Sequence, residues 1–326
     1  MLNKNKIFAE IKAIIFIVLT VLLIKVTVVE AYIVPTGSME NTIMTGDFLI
    51  GSRYVYGMRT PDWLGIPYTR IGFSIPYYTF PAFKIPEVGD VLIFKFPRDN
   101  HVKYVKRCVA GPGDTVEVSY KNLIVNNKEI PMWKNGKFLS ASMHKNFKQP
   151  DIFLSSSANL NRDNVGPIYI PKKGDVFPIH EKTNWRYLLP IILMEGHTAS
   201  LKNKDKIYNF TLQDPNQIFR SQGKEEIFQE YFPYGGQLIN PWSDAFKEEH
   251  FEFLIIDGKP ASSLSEFTVK QNYYWAMGDN RDDSLDSRYW GFVPENFILG
   301  EALFAYFSVD LNTWMPRWDR IGTIIK

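Results

Sequence analysis

The chain has 326 residues, 45% hydrophobic and 22% charged, a balance that excludes wholesale disorder and allows one large domain or two ordinary ones. A formal net charge of +2 without a long basic run carries no nucleic-acid footprint, so no nucleic-acid partner is expected. The single cysteine, Cys108, excludes an intrachain disulfide framework and a cysteine-based zinc site.

In chain order, the first feature is apolar. Lys4, Lys6 and Lys12 precede an uncharged run from Ala13 to Ile24, and Lys25 and Glu30 interrupt the apolar stretch that follows. The run is shorter than the roughly 20 residues that cross a bilayer. Counting from Ile7 brings in Glu10 and Lys12 at the cytoplasmic end, where a lysine can snorkel. Residues 1–31 are therefore expected to be a cytoplasmic stub and one membrane anchor, with the preceding lysines holding the N-terminus inside. Two alternatives stand beside this. Val29-Glu30-Ala31 has the small-x-small form of a leader cleavage site, and a run of this length also suits a buried core helix.

Next come short β-type runs set off by turn residues: Asp47-Phe-Leu-Ile-Gly, Asp90-Val-Leu-Ile-Phe-Lys-Phe, Tyr104-Val-Lys-Arg-Cys-Val and Thr115-Val-Glu-Val. That rhythm predicts a mainly β protein with an antiparallel core. Asn122 to Pro131 reads as two strands about a tight turn at Asn126-Asn127. The aromatic stretch from Trp63 to Phe83 and the tail bearing Trp314 and Trp318 fit either a membrane surface or core packing. Between 132 and 265 the pattern weakens to polar turns, scattered aromatics and helix-compatible pieces such as Lys224 to Tyr231; it resumes from Tyr273 through Phe307. The expected organisation is an anchor at 1–31, a β core from 32–131 and 266–326, and an inserted β-rich subdomain at 132–265.

Three islands hold residues suited to chemistry. In Val34-Pro-Thr-Gly-Ser38-Met a serine follows glycine just beyond the apolar run. Alone, it is most simply a turn residue, and it lacks the Gly-x-Ser-x-Gly elbow. A serine nucleophile needs a base. His101, His144, His180, His197 and His250 offer no triad context, and His180-Glu181 lacks a second histidine for a zinc helix, so no metal site is expected. In Tyr104-Val-Lys106-Arg-Cys108-Val, strand alternation puts Tyr104, Lys106 and Cys108 on one face and Val105, Arg107 and Val109 on the other. A lysine pKa of about 10.4 makes a poor base at neutral pH, but burial lowers it by up to about 3–5 units. An edge or ion-paired lysine is the plain alternative. The third island, Met277 to Pro294, is dense in Asp, Arg and Ser. It lacks the central glycine and closing glutamate of an EF-hand, and reads as a loop held by carboxylate–guanidinium pairs.

Together the islands resemble type I signal peptidases, the serine–lysine membrane proteases of bacteria. The likeness rests on Pro35-Thr-Gly-Ser-Met39, Tyr104-Val-Lys-Arg107 and Gly278-Asp-Asn-Arg-Asp-Asp-Ser-Leu-Asp-Ser-Arg-Tyr-Trp-Gly291, and covers the anchor, 32–57, 88–114 and 273–308. It implies an endopeptidase with Ser38 as nucleophile, Lys106 as general base and no metal or organic cofactor. It further implies that Ser284 orients the lysine, that Asp286 and Arg288 form a supporting pair, and that Asp279 opens their loop. The oxyanion hole would combine the Ser38 N–H with the Thr36 hydroxyl, where many relatives carry serine.

The implied substrates are exported preproteins, cut after small residues at −1 and −3 to release their N-terminal signal peptides. Tyr32, Val34, Met39, Ile43, Leu49, Ile93, Tyr104 and Val105 match or flank the implied substrate pockets, and the substrate is expected to add a strand at a sheet edge. The implied location is the bacterial cytoplasmic (inner) membrane, single pass, N-terminus inside and catalytic domain outside. Signal peptides, the lipid bilayer and the secretion machinery are the expected partners. Two features depart from the family pattern: relatives often have two N-terminal membrane segments, and the 132–265 insert matches nothing in it. Other readings are a different serine–lysine maturation peptidase, a self-cleaving repressor, for which no DNA-binding module is visible, and a β-scaffold that binds signal sequences without cutting.

Overall fold

The structure, a computed structural model, describes residues 4–65, 71–149, 151–154, 160–203, 206–212, 238–239, 241–242 and 248–326; the stretch Lys224 to Tyr231 lies outside them. Helix α1 spans Lys4–Thr27. Phe8, Ile11, Ile14, Ile15, Phe16, Ile17, Val18 and Val21 are all exposed along it, so it is not a core helix. Among the described residues, no helix is long and apolar enough to cross a membrane. The helix runs into strand β1, Val29–Ile33, whose residues pair one for one with Ser52 back to Phe48. A leader cut after Ala31 would fall inside that paired strand.

The fold is mainly β and antiparallel, as the turn rhythm predicted. The main sheet adds β2 (Asp47–Ser52), β3 (Val91–Phe96), β4 (Asp99–Ala110), β5 (Tyr273–Met277), β6 (Val293–Pro294), β7 (Ile298–Ser308) and β8 (Thr323–Ile324). Its order is β1-β2-β7-β3-β4-β5-β6, with β8 also on β7. The near-continuous apolar run of β3 follows from its central place. Val91 and Ile93 pack into a cluster with Tyr32, Met39 and Leu49, while Leu92, Phe94 and Phe96 enter another with Cys108, Tyr274 and Trp290. Both faces are covered, so alternation disappears.

The long strand β4 is paired unevenly. Along β3 it runs from Asp99 to Arg107, whereas β5 joins its other edge only at Arg107, Cys108 and Ala110. Among the described residues β1, at the far end of the sheet, pairs with β2 alone. Free edges therefore remain beside Lys106 and just ahead of Ser38.

Beyond this sheet, Thr115–Ser119, Asn122–Val125, Lys128–Ile130 and Val165–Tyr169 form a four-stranded sheet. The expected hairpin is there, with φ of 51° at Asn126 and 61° at Asn127, the left-handed pair that a two-residue type I′ turn needs. Helix α2, Trp185–Met194, was not foreseen. Its sequence is a short, almost wholly apolar run that includes Pro190, a pattern shared by buried strands, and burial of seven of its residues supplies the reason for that composition.

Leu49 and Ile93 are 0% exposed, which makes them core rather than open pocket wall. Leu49→Ala is expected to lower stability by about 2–5 kcal/mol in urea unfolding followed by tryptophan fluorescence.

Candidate active site

Ser38 sits in the tight turn after β1. Met39 O accepts from Thr42 N at 3.0 Å and Ile43 N at 2.7 Å, and Gly37 O accepts from Glu40 N at 3.0 Å. Buried Met39 and Ile43 pin this turn into the core cluster with Leu49 and Ile93. The third island clamps it from outside: Asn280 N donates to Ser38 O at 3.0 Å, and Asn280 Nδ2 to Gly37 O at 3.1 Å. Ser38 is thus half-buried and held through its own carbonyl.

Lys106 projects from β4 to the same point. Its Nζ and Ser38 Oγ share a hydrogen bond of 2.7 Å, and Nζ also donates to Val105 O at 2.9 Å. The amine lies 5.1 Å from the centre of the Tyr104 ring, the neighbour alternation put on its face. Lys106 is 4% exposed. Burial pushes its pKa down to about 8, against the opposing pull of the Asp286 and Asp279 charges.

Those two carboxylates are committed elsewhere. Arg107 Nε and Nη2 grip Asp279 at 2.8 and 2.6 Å, and Thr42 Oγ1 donates to it at 2.5 Å. Arg288 Nε and Nη2 grip Asp286 at 2.9 and 2.8 Å, while Gly278 N donates to it at 3.1 Å. Burial alone would raise the Asp286 carboxyl, but the Arg288 guanidinium outweighs it and keeps the group ionised. Spare guanidinium N–H groups find carbonyls: Arg107 reaches Gly89 O, and Arg288 reaches Arg281 O and Arg162 O. These are two-pronged, nearly dry pairs, which repay burial only when fully bonded. Among the described residues, no carboxylate pairs with Lys106.

The expected site residues divide on inspection. Ser38, Lys106, Asp279, Asp286 and Arg288 converge, and Ser284 is buried beside them. Among the described residues its hydroxyl makes no hydrogen bond to Lys106, and the carboxylate it acts on is that of Asp286. Thr36 is exposed. Tyr32, Val34, Met39, Ile43, Leu49 and Ile93 fall in one buried cluster with Val105 against it, whereas Tyr104 packs in another cluster against Trp290. Three participants had no role assigned from sequence. Asn280 and Arg107 lay inside quoted motifs, but their partners are distant in the chain. Gly278 is required by space: a Cβ there would lie 2.5 Å from Ser38 O and 2.3 Å from Ser284 Oγ.

Comparisons with known proteins identify a family for the chain. The family model described as signal peptidase, peptidase S26, matches residues 7–307. A signal peptidase I from Buchnera aphidicola subsp. Schizaphis graminum is 26% identical over 99% of this chain and 83% of its own length. One from Haemophilus influenzae is 27% identical over 94% of this chain and 72% of its own. A solved signal peptidase I from Enterococcus faecalis is 16% identical, covering 67% of this chain and 97% of its own, with a TM-score of 0.24.

A buried amine with a lowered pKa costs stability. The folded state releases its proton near pH 8 and the unfolded chain near 10.5, so wild-type stability rises with pH between those values. Lys106→Met is expected to be more stable than wild type by up to about 3 kcal/mol at pH 7, at roughly 1.36 kcal/mol per unit. In chemical denaturation the advantage should shrink above pH 8 and level off near 10.5; an equal difference at all pH values would contradict the assignment.

Proposed function

Because the chain belongs to the signal peptidase family, the serine endopeptidases of group S26, we propose that it cleaves N-terminal signal peptides from exported preproteins with Ser38 as nucleophile and Lys106 as general base. The observation that carries this reading is the 2.7 Å hydrogen bond between a half-buried hydroxyl and a buried amine that has no counter-ion among the described residues. Neutral Lys106 takes the proton as Ser38 Oγ attacks the scissile carbonyl. The same ammonium then hands it to the departing amine, and a water activated by Lys106 frees the acyl group from Ser38.

The carbonyl oxygen gains charge in the transition state. Among the described residues the Ser38 N–H makes no hydrogen bond, and neither does the Thr36 hydroxyl. Both are thus available as oxyanion donors, each worth about 2.7–4 kcal/mol in such a site. Ser284, buried beside the pair, is assigned to steady the amine once it is charged. Asp279 and Asp286, gripped by Arg107 and Arg288, hold the loop that clamps the Ser38 turn.

The substrate lies extended between the free edges of β1 and β4, an arrangement supported by the one-sided pairing of both strands. Tyr32, Val34 and Val105, at the rim of the apolar cluster, form shallow recesses for small side chains at −1 and −3. Residues 132–265 are an insert in this catalytic core, and touch its third-island loop through Arg162 O and the Lys137 backbone.

The exposed apolar side chains of α1 from Phe8 to Val21 support an anchor in the cytoplasmic membrane, with the site on its outer face. Trp314, 77% exposed, and Trp318, 74% exposed, favour the membrane-surface reading of the tail over core packing.

Cleavage of a precursor with Ala at −1 and −3 by the detergent-solubilised chain tests this. Ser38→Ala and Lys106→Ala should each remove detectable cleavage while the protein stays folded by circular dichroism. For wild type, kcat/KM should rise with pH through about 8, since only the neutral amine accepts a proton. Normal cleavage by Lys106→Ala would overturn the proposal.

A further inference from the structure

Among the described residues, the free edges of β1 and β4 are spanned by side chains alone. Lys103 Nζ donates to Glu30 Oε1 at 2.6 Å and lies 5.2 Å from the centre of the Tyr32 ring. Glu30 Oε2 accepts from Arg53 Nη1 at 2.8 Å and from the Tyr32 hydroxyl at 2.7 Å. Burial would raise the Glu30 carboxyl, but the Lys103 and Arg53 charges outweigh it and hold it below its ordinary value. One carboxylate between two cations leaves the cluster positive. Lys103, with its side chain 37% exposed against 15% for Glu30 and 11% for Arg53, is the member open to solvent.

Strand alternation decides what this cluster can meet. Glu30 and Tyr32 share one face of β1, and continuing that row past the strand end reaches Val34; Lys103 and Val105 share one face of β4. Tyr32, Val34 and Val105 belong to the apolar cluster beside Ser38, so the charged pair extends the same row by one more step of about 6–7 Å. That step leads away from Ser38 and toward the end of α1 at Thr27. A signal peptide would lie on that side if it arrives from the membrane.

Resting on the reading of an extended substrate between these edges, we propose that Lys103 and Glu30 form the subsite for the side chain five residues before the scissile bond, selecting an acidic group there over a basic one. Side chains at −1, −3 and −5 of an extended peptide point the same way. The first two meet the apolar rim, and the third meets Lys103. A carboxylate at −5 replaces Glu30 as the partner of Lys103, whereas a cation there faces Lys103 and Arg53 together. Lys103 acts on substrate choice and touches none of the reacting atoms.

The test uses the full chain and three precursors alike in every position except −5, which holds Asp, Ser or Lys. Wild type should favour Asp over Lys by about five-fold in kcat/KM, carried by KM with kcat unchanged, the scale of a partly exposed ion pair. The preference should fade as salt is raised. Lys103→Met should lose it and Lys103→Arg should keep it. Equal cleavage of the three precursors by wild type, or a preference that survives in Lys103→Met, overturns the subsite alone. Failure of wild type to cut any of them overturns the peptidase reading and the subsite with it.

Discussion

A lysine amine buried with no carboxylate paired to it among the described residues governs how the rest of this site is built. Two aspartates lie close enough to pull Lys106 back toward its charged form. Each is instead locked onto an arginine, Asp279 onto Arg107 and Asp286 onto Arg288, with both members of each pair nearly inaccessible. Were either arginine absent, the freed carboxylate would be left to act on Lys106 and Arg281, and its charge would pull the Lys106 pKa upward. The ion pairs are therefore best understood as keeping charge away from Lys106. The desolvation cost of a buried pair can exceed its Coulombic gain, and the site does not require a net gain in stability from either.

The same pairs solve a problem of assembly. Ser38, Lys106 and the 278–288 loop come from remote parts of the chain, and Thr42 meets Asp279 across 237 residues of sequence. Neighbouring strands of the main sheet bring Lys106 and the start of the loop together, since Met277 pairs with Arg107. The turn bearing Ser38 has no such strand pairing to the loop. It is tied instead by Asn280 to the carbonyls of Ser38 and Gly37, and by the absence of a side chain at Gly278. Backbone contact of this kind sets the hydroxyl within hydrogen-bond range of the amine, and half an ångström matters at that range.

Legibility in the sequence followed the range of the interaction. The alternation around Lys106 correctly gave it Tyr104 as a neighbour, and the Asn126-Asn127 pair announced its turn, because both depend on residues a few positions apart. The motif Gly278 to Gly291 announced carboxylate–guanidinium pairing, but only Asp286 with Arg288 is internal to it; the partner of Asp279 lies in β4. Apolar residues near Ser38 could be named from sequence, yet their division into rim and core depends on how β2, β3 and β7 stack, so Leu49 and Ile93 emerge as core. Helix α2 was hidden because a short apolar run containing Pro190 reads equally well as a buried strand.

The state of the Lys106 amine can be read directly. Reductive 13C-methylation of lysines, with Lys106→Met used to assign the resonance, allows its titration to be followed by NMR in the intact chain carrying Ser38→Ala. The account predicts a midpoint near 8, set by burial. A midpoint at the ordinary lysine value of about 10.4 would show an amine charged at neutral pH, and would contradict the mechanism at its root.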